Sequence, residues 1–304
     1  MGMKELLFVS CFCFSIATNL MAQEEDLLKT LENDQPKEKV YTQSTFKGTR
    51  LANNQTVECL GKRALEFRIA HRFGGMQNGE KDFWGLDQAN MNITFDYGLT
   101  NRLMVGIGRN SVGKLYEGTL KYKLLAQTEN NSMPLTVTLL GKANVLSNTQ
   151  GAQYDDVANA WSYVSEVMIA RKFSKKFSLQ ISPTLIHINL VPAEFTSNNI
   201  FALSGAGRYK FTRSMAITAE YTQTLNNYYD QNISAAQYIP VASIGVDIET
   251  GGHVFQVFLT NAATLNETQF IPLTTSDWGR REFRFGFNIS RTFSTGKKKS
   301  QSTY

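Results

Sequence analysis

The sequence predicts an all-β chain: a transmembrane up-and-down antiparallel β-barrel of about 12 strands. Three observations predict it. From residue 64 onward, segments of about ten residues alternate apolar and polar side chains. That length suits a tilted membrane strand better than the shorter strands of soluble proteins. Aromatic residues stand at the segment ends: Phe73, Tyr97, Tyr116, Trp161, Phe173, Phe177, Tyr209, Phe211 and Phe293. Aromatic rings of this kind form girdles at membrane–water boundaries. The connections also alternate in length. Those near 98–101, 173–176, 211–214 and 250–252 are tight, and 128–133 is modest. Those near 74–88, 147–159, 190–199, 224–238 and 261–280 are long, and only 109–114 breaks the rhythm. Short periplasmic turns and long outer loops give this pattern in outer-membrane barrels.

In chain order, residues 1–22 come first. Lys4 precedes an apolar core at 6–16, and Ala22-Gln23 is a plausible cleavage point, the layout of a secretory signal peptide. The apolar core is too short for a typical membrane span. Cys11 and Cys13 leave with this segment, so Cys59 remains alone and no internal disulfide is expected. Residues 23–61 form a charged periplasmic lead-in without strong periodicity, with a short helix expected at 26–31. Its stretch 45–60 is polar with scattered apolar anchors. It reads equally as a partial lumen plug or as an unordered linker. The barrel is expected over 62–294, followed by a basic periplasmic tail at 295–304 that includes Lys297-Lys298-Lys299.

Within the barrel each segment has a lipid face and a lumen face. Leu65, Phe67, Ile69 and Phe73 oppose Glu66, Arg68 and Arg72. Met91, Ile93, Phe95 and Tyr97 oppose Asn90, Asn92, Thr94 and Asp96. Leu103, Val105 and Ile107 oppose Arg102, Gly106 and Gly108. Leu120, Tyr122 and Leu124 oppose Glu117, Thr119, Lys121 and Lys123. Leu135, Val137 and Leu139 oppose Thr136, Thr138, Lys142 and Asn144. Tyr163 and Val167 oppose Glu166, and Phe177, Leu179 and Ile181 oppose Ser178, Gln180 and Ser182. Arg208 and Lys210, Glu220, Asp247, Gln256 and finally Arg284 and Asn288 continue the polar face to the last strand. A charge on the lipid face costs roughly 2–4 kcal/mol at mid-depth for Arg or Lys, so the ionised residues fix which face is inward. Pro183 cannot donate to the sheet. Beyond it Ile186 and Ile188 share a face with Thr184, so a β-bulge is expected near 183–184 to return them to lipid. The tight turns resemble one another: YGLTNRL at 97–103, FSKKF at 173–177 and FTRSM at 211–215 each carry an aromatic, a small polar turn and a basic residue.

Several stretches resemble a family of outer-membrane β-barrel proteins of Bacteroidota-type bacteria with no established activity. They are TFKGTRLA at 45–52, LEFRIAHRFGG at 65–75, GLDQANM at 85–91, YGLTNRLMVGIGRN at 97–110 and LKYKLLAQ at 120–127. The resemblance covers the first half of the mature chain. It implies a barrel in the outer membrane and transfers no catalytic residue.

The chemistry-bearing residues are sparse. His71, His187 and His253 have no metal spacing, and Cys59 has no cysteine nearby, so no metal or cofactor is expected. Ser182 and His187 share a strand but form no nucleophile–base–orienter set. Asp155-Asp156 supply too few oxygens for calcium. Phe83-Trp84 and Tyr228-Tyr229 are aromatic pairs in outer loops, where loop packing is favoured over ligand stacking. A net charge of +5 is too weak a bias for nucleic acid. The partners expected are outer-membrane lipid and small polar or anionic solutes. The lumen-lining charged set is Glu66, Arg68, Arg72, Asp96, Arg102, Glu117, Lys121, Lys123, Lys142, Glu166, Arg208, Lys210, Glu220, Asp247 and Arg284. The leading reading is a narrow channel or transport barrel with a mixed-charge lumen. The alternatives are a closed barrel that presents its loops for binding and, behind it, a membrane-embedded lipid hydrolase.

Overall fold

The structure is a computed structural model and describes residues 40–149, 154, 156–233 and 237–296. The expected signal peptide, the short helix at 26–31, Asp155 and the Lys297-Lys298-Lys299 tail lie outside the described residues.

Twelve antiparallel strands close into a barrel: β1 (Ala64–Gly75), β2 (Ala89–Gly98), β3 (Leu103–Asn110), β4 (Leu115–Leu125), β5 (Thr136–Leu146), β6 (Trp161–Lys172), β7 (Phe177–Ile188), β8 (Asn199–Lys210), β9 (Met215–Thr224), β10 (Val241–Thr250), β11 (His253–Thr260) and β12 (Arg284–Ser294). Each strand pairs with its sequence neighbours, and β1 pairs with β12 to close the ring, Ala64 facing Ser294 and Arg72 facing Gly286. Closure leaves no sheet edge, which a strand structure in lipid requires because nothing there satisfies a free N–H or C=O. The alternation in sequence becomes an alternation in exposure. Ile107 and Ile181 are 68% and 54% exposed on the outer wall, while inward Lys121 is fully buried.

The short turns share a cause. Thr100 Oγ1 accepts from the N–H groups of Arg102 and Leu103 at 3.1 and 2.9 Å. Ser174 Oγ does the same for Lys176 and Phe177, and Thr212 Oγ1 for Ser214 and Met215. A hydroxyl that mimics a backbone carbonyl therefore closes three of the hairpins. The β10–β11 hairpin turns through Gly251 and Gly252 at φ 47° and 92°, the left-handed pair that a two-residue hairpin needs.

The bulge expected at 183–184 is absent. Pro183 pairs with Leu203 of β8 in unbroken register, and the β6–β7 register is the same on either side of it. Ile186 stays on the inward face and is fully buried. The reason is that this end of the lumen is itself apolar. Ile186 belongs to one buried cluster with Val164, Ile200 and Ala202 of the wall and Phe270 and Ile271 of a short helix, α1 (Glu267–Leu273). That helix comes from the long β11–β12 connection. Asn266 caps it by accepting from Thr268 N–H at 3.0 Å.

Residues 41–60 occupy the lumen from the end that carries the short turns. Tyr41 bridges to Thr128 in the β4–β5 connection, and Lys172 Nζ donates to Gln43 O at 2.6 Å. The segment then turns back as a small hairpin. Thr56 N–H donates to Thr49 O at 3.0 Å, Arg50 bridges to Gln55, and Leu51 N–H donates to Asn54 O at 2.8 Å. Phe46, Leu51 and Val57 are buried in the same apolar cluster as the wall and α1. The chain leaves at residue 61 against Gly98, whose carbonyl accepts from Arg63 N–H at 2.8 Å. A Cβ on Gly98 would sit 2.1 Å from Gly61 O, so a glycine is required where the exit crosses β2.

Candidate functional site in the barrel lumen

The charged residues expected to line the lumen divide by burial and by position along the strands. Glu66, Arg68, Arg72, Asp96, Glu117, Lys121, Lys142, Glu166, Arg208, Glu220 and Asp247 are buried on inward positions. Lys123, Lys210 and Arg284 lie near strand ends and are partly exposed. Arg102 is the exception: it is exposed in the β2–β3 turn. Its parity matches the inward face, but β3 begins one residue later at Leu103, so the wall ends before reaching it.

The inward residues meet the lead-in hairpin and α1 in three groups. The first is centred on Lys142 of β5. Its Nζ donates to Glu117 at 3.1 Å and to Glu267 of α1 at 2.6 Å, and both carboxylates are buried. Glu117 also accepts from Arg50 of the hairpin at 3.4 Å and from Asn266 Nδ2 at 2.7 Å. Glu267 accepts from Gln55 Nε2 at 2.9 Å. Wall, hairpin and helix thus share one ionic node. Buried charges persist only when paired and hydrogen-bonded, and here Lys142, Glu117 and Glu267 each have at least two partners.

The second group lies on β1, β10, β11 and β12. Arg68 Nη2 donates to Leu51 O at 2.9 Å and to Gln256 at 3.3 Å. Gln256 Nε2 donates to Arg50 O at 3.2 Å and to Asp247 at 3.0 Å. Arg72 donates to Ala52 O, to Asn53 Oδ1 at 3.0 Å and to Asn288 at 3.1 Å, with its guanidinium 4.3 Å from the centre of the Phe258 ring. On β9, Glu220 accepts from the N–H groups of Asn53 and Asn54 at 2.7 and 3.1 Å.

The third group is at the entrance. Lys123 pairs with Glu58 at 3.3 Å, Lys47 with Glu249 at 3.2 Å, and Arg208 with Glu249 at 2.6 Å. Cys59 sits here, and burial pushes its thiol pKa up although Lys121 and Lys123 pull it down.

One wall carboxylate stands apart. Asp96 is 1% exposed, and neither of its oxygens has a hydrogen-bond partner. It leans over Gly106 of β3, where a Cβ would lie 1.9 Å from its Oδ1. The neighbouring inward residues Thr94 and Asn92 also have an unpartnered oxygen each.

Several candidates from the sequence fall outside the lumen. His71 stacks on Phe287 with ring centres 5.0 Å apart, and His253 stacks on Phe255. His187 Nδ1 lies 2.8 Å from Asn199 Oδ1 on the outer side of β7, while Ser182 is buried on the inward side of the same strand. The two therefore do not meet. Among the described residues no cluster of His, Cys, Asp or Glu has metal-binding geometry. Tyr228 packs on Phe195, Tyr229 and Tyr238 and donates to Pro272 O at 2.9 Å, so it ties the β9–β10 connection to α1. Phe83 and Trp84 are exposed, edge to face.

The sequence placed the neutral residues of the wall on the inward face but singled out only the charged ones. Gln180, Gln256, Asn288 and Thr138 all face inward and all bond the hairpin's main chain. Their inward register was visible in the alternation. Glu267 was missed altogether, and the signal that could have found it was Asn266 as a helix cap followed by an acidic first turn.

A family model described as "Membrane bound beta barrel domain (DUF5777)" matches residues 46–293, a span that takes in most of the lumen segment and reaches into the twelfth strand. No curated protein matches the chain by sequence. Among solved structures the chain is similar to the KdgM porin at 9% identity and TM-score 0.46, over 76% of this chain and 99% of the porin. It is similar to an outer membrane channel from Pseudomonas putida F1 at 14% identity and TM-score 0.44, over 78% and 98%. It is similar to OmpF of Salmonella typhi at 8% identity and TM-score 0.38, over 76% and 97%.

Proposed function

The chain belongs to the family of membrane-bound β-barrel domains (DUF5777), and from that premise we propose that it is a gated transport barrel of the outer membrane for small polar solutes, anionic ones included. In this reading both termini are periplasmic, the long connections face outward, and the lead-in at 41–60 is a removable plug. Catalysis is no part of it.

One observation carries the proposal. Inward donors from several strands reach past the wall to the hairpin: Arg68, Arg72, Gln256 and Lys121 each donate to a hairpin carbonyl, beside the bonds that Arg68, Arg72 and Gln256 make to other wall residues. A barrel built as a solid post would satisfy its wall charges across the wall. Here part of that satisfaction comes from a segment that enters and leaves through one mouth, so its departure frees a polar, hydratable path. The helix α1 closes the other half of the lumen with apolar contacts and with Glu267.

Planar-bilayer conductance tests this reading. The intact chain is expected to be nearly silent, and a variant lacking 43–58 is expected to pass ions in discrete steps. Silence from both, with the variant shown to be folded, overturns the proposal.

A further inference from the structure

The hairpin is held mainly by its main chain, and that points to a ligand class. Its carbonyls at Thr49, Arg50, Leu51, Ala52, Gln55 and Val57 accept from Lys121, Gln256, Arg68, Arg72, Gln180 and Thr138 respectively. Its N–H groups at Asn53 and Asn54 donate to the two oxygens of Glu220. Gln180 goes further. Its amide nitrogen donates to Gln55 O at 2.8 Å and its amide oxygen accepts from Val57 N–H at 2.9 Å. That is the pattern a neighbouring peptide strand would make, here supplied by one side chain. Asn288 Nδ2 adds donations to the carbonyls of Leu51 and Ala52 at 3.1 and 3.3 Å.

These contacts come from seven different strands, and none of them depends on which side chain the hairpin carries. A lumen lined this way offers carbonyl-binding donors on β1, β4, β5, β7, β11 and β12 and N–H-binding acceptors on β7 and β9, matched to the two polar groups of every peptide unit. A sugar hydroxyl does not present that fixed alternation of donor and acceptor. Resting on the transport reading above, we propose that the solute recognised in the opened lumen is a short peptide in a turn conformation, and that the lead-in occupies the site as a built-in competitor. The wall's mixed charge fits this class, because a peptide brings an ammonium and a carboxylate together.

The test uses the variant lacking 43–58 in planar bilayers. If that variant does not fold, the full chain is used with a specific protease site placed in the exposed 61–63 connection, cut after folding, and the hairpin is washed out. Three probes are added to the open barrel: a synthetic peptide of residues 45–58, an unrelated peptide cyclised into a β-turn, and maltohexaose. Both peptides are expected to block current, and the hexasaccharide is not. N-methylation at the positions of Asn53 and Asn54 removes both donations to Glu220. It should raise the blocking concentration by at least about tenfold, as expected for lost bonds to a buried charge. Failure of the unrelated peptide to block, or equal block by maltohexaose, overturns the peptide assignment while the transport reading stands. If the opened barrel carries no current, the transport reading falls. Fluorescence anisotropy with labelled copies of both peptides then decides the binding claim by itself: saturable binding of both supports it, and absence of binding sinks it.

Discussion

Lys142 holds two buried carboxylates at once, Glu117 on the wall and Glu267 on α1. Removing the ammonium leaves both anions buried, facing each other with only Arg50 and neutral amides for company. Breaking a buried pair from one side costs about 3–5 kcal/mol, because the surviving charge is stranded. Lys142→Met is therefore expected to destabilise the folded barrel by that order in urea titrations from lipid vesicles, and adding Glu267→Gln should recover part of the loss. A cost below about 1 kcal/mol would place the node in water and not in a packed lumen. Residue by residue, the sequence exposes the parity of these groups and hides their partners. Lys142 and Glu117 read as inward from period two alone. Glu267 does not, because it lies in a connection where no alternation says whether the chain folds out from the rim or down into it. Arg102 shows the opposite failure: its parity was right, and the strand ended before its position mattered.

At the scale of elements, the strands were legible and the lumen contents only in part. A strand's identity is local, set by alternation over about ten residues and by a hydroxyl or Gly-Gly turn at its end. The hairpin at 41–60 has no such period. Its anchors Phe46, Leu51 and Val57 are spaced to fit a surface assembled from distant strands, so its sequence alone reads equally as a plug or as a linker. The misplaced bulge at Pro183 has the same origin. The rule that apolar residues face lipid fails for Ile186 because α1 makes that end of the lumen apolar. Cys59 reports on the hairpin directly. Its pKa is raised by burial, and the thiolate is the reacting species, so maleimide labelling of a chain without Cys11 and Cys13 should be slow at neutral pH and rise about tenfold per pH unit below that raised value. Glu58→Ala cuts the tie to Lys123 and should speed labelling at fixed pH. Equal rates in the two proteins would mean that the entrance contact does not hold the segment.

The whole molecule has two solvents on its two faces, and the same substitution should report which is which. Ile181 of β7 points outward near mid-strand and is 54% exposed, flanked by inward Gln180 and Ser182. Leu99 is also exposed but stands in the β2–β3 turn beyond the wall. In water the two positions would tolerate arginine alike. In a bilayer they cannot, because a guanidinium at mid-depth loses hydration that a turn residue keeps. Ile181→Arg should cost roughly 2–4 kcal/mol and Leu99→Arg about 0–1 kcal/mol when unfolding is measured from lipid vesicles. The closed ring makes this comparison clean. With β1 paired to β12 no edge can open to shelter the charge, and the packed lumen at Gln180 and Ser182 leaves it no inward route. Equal costs at the two sites would mean that the outer wall of β7 is not in contact with hydrocarbon.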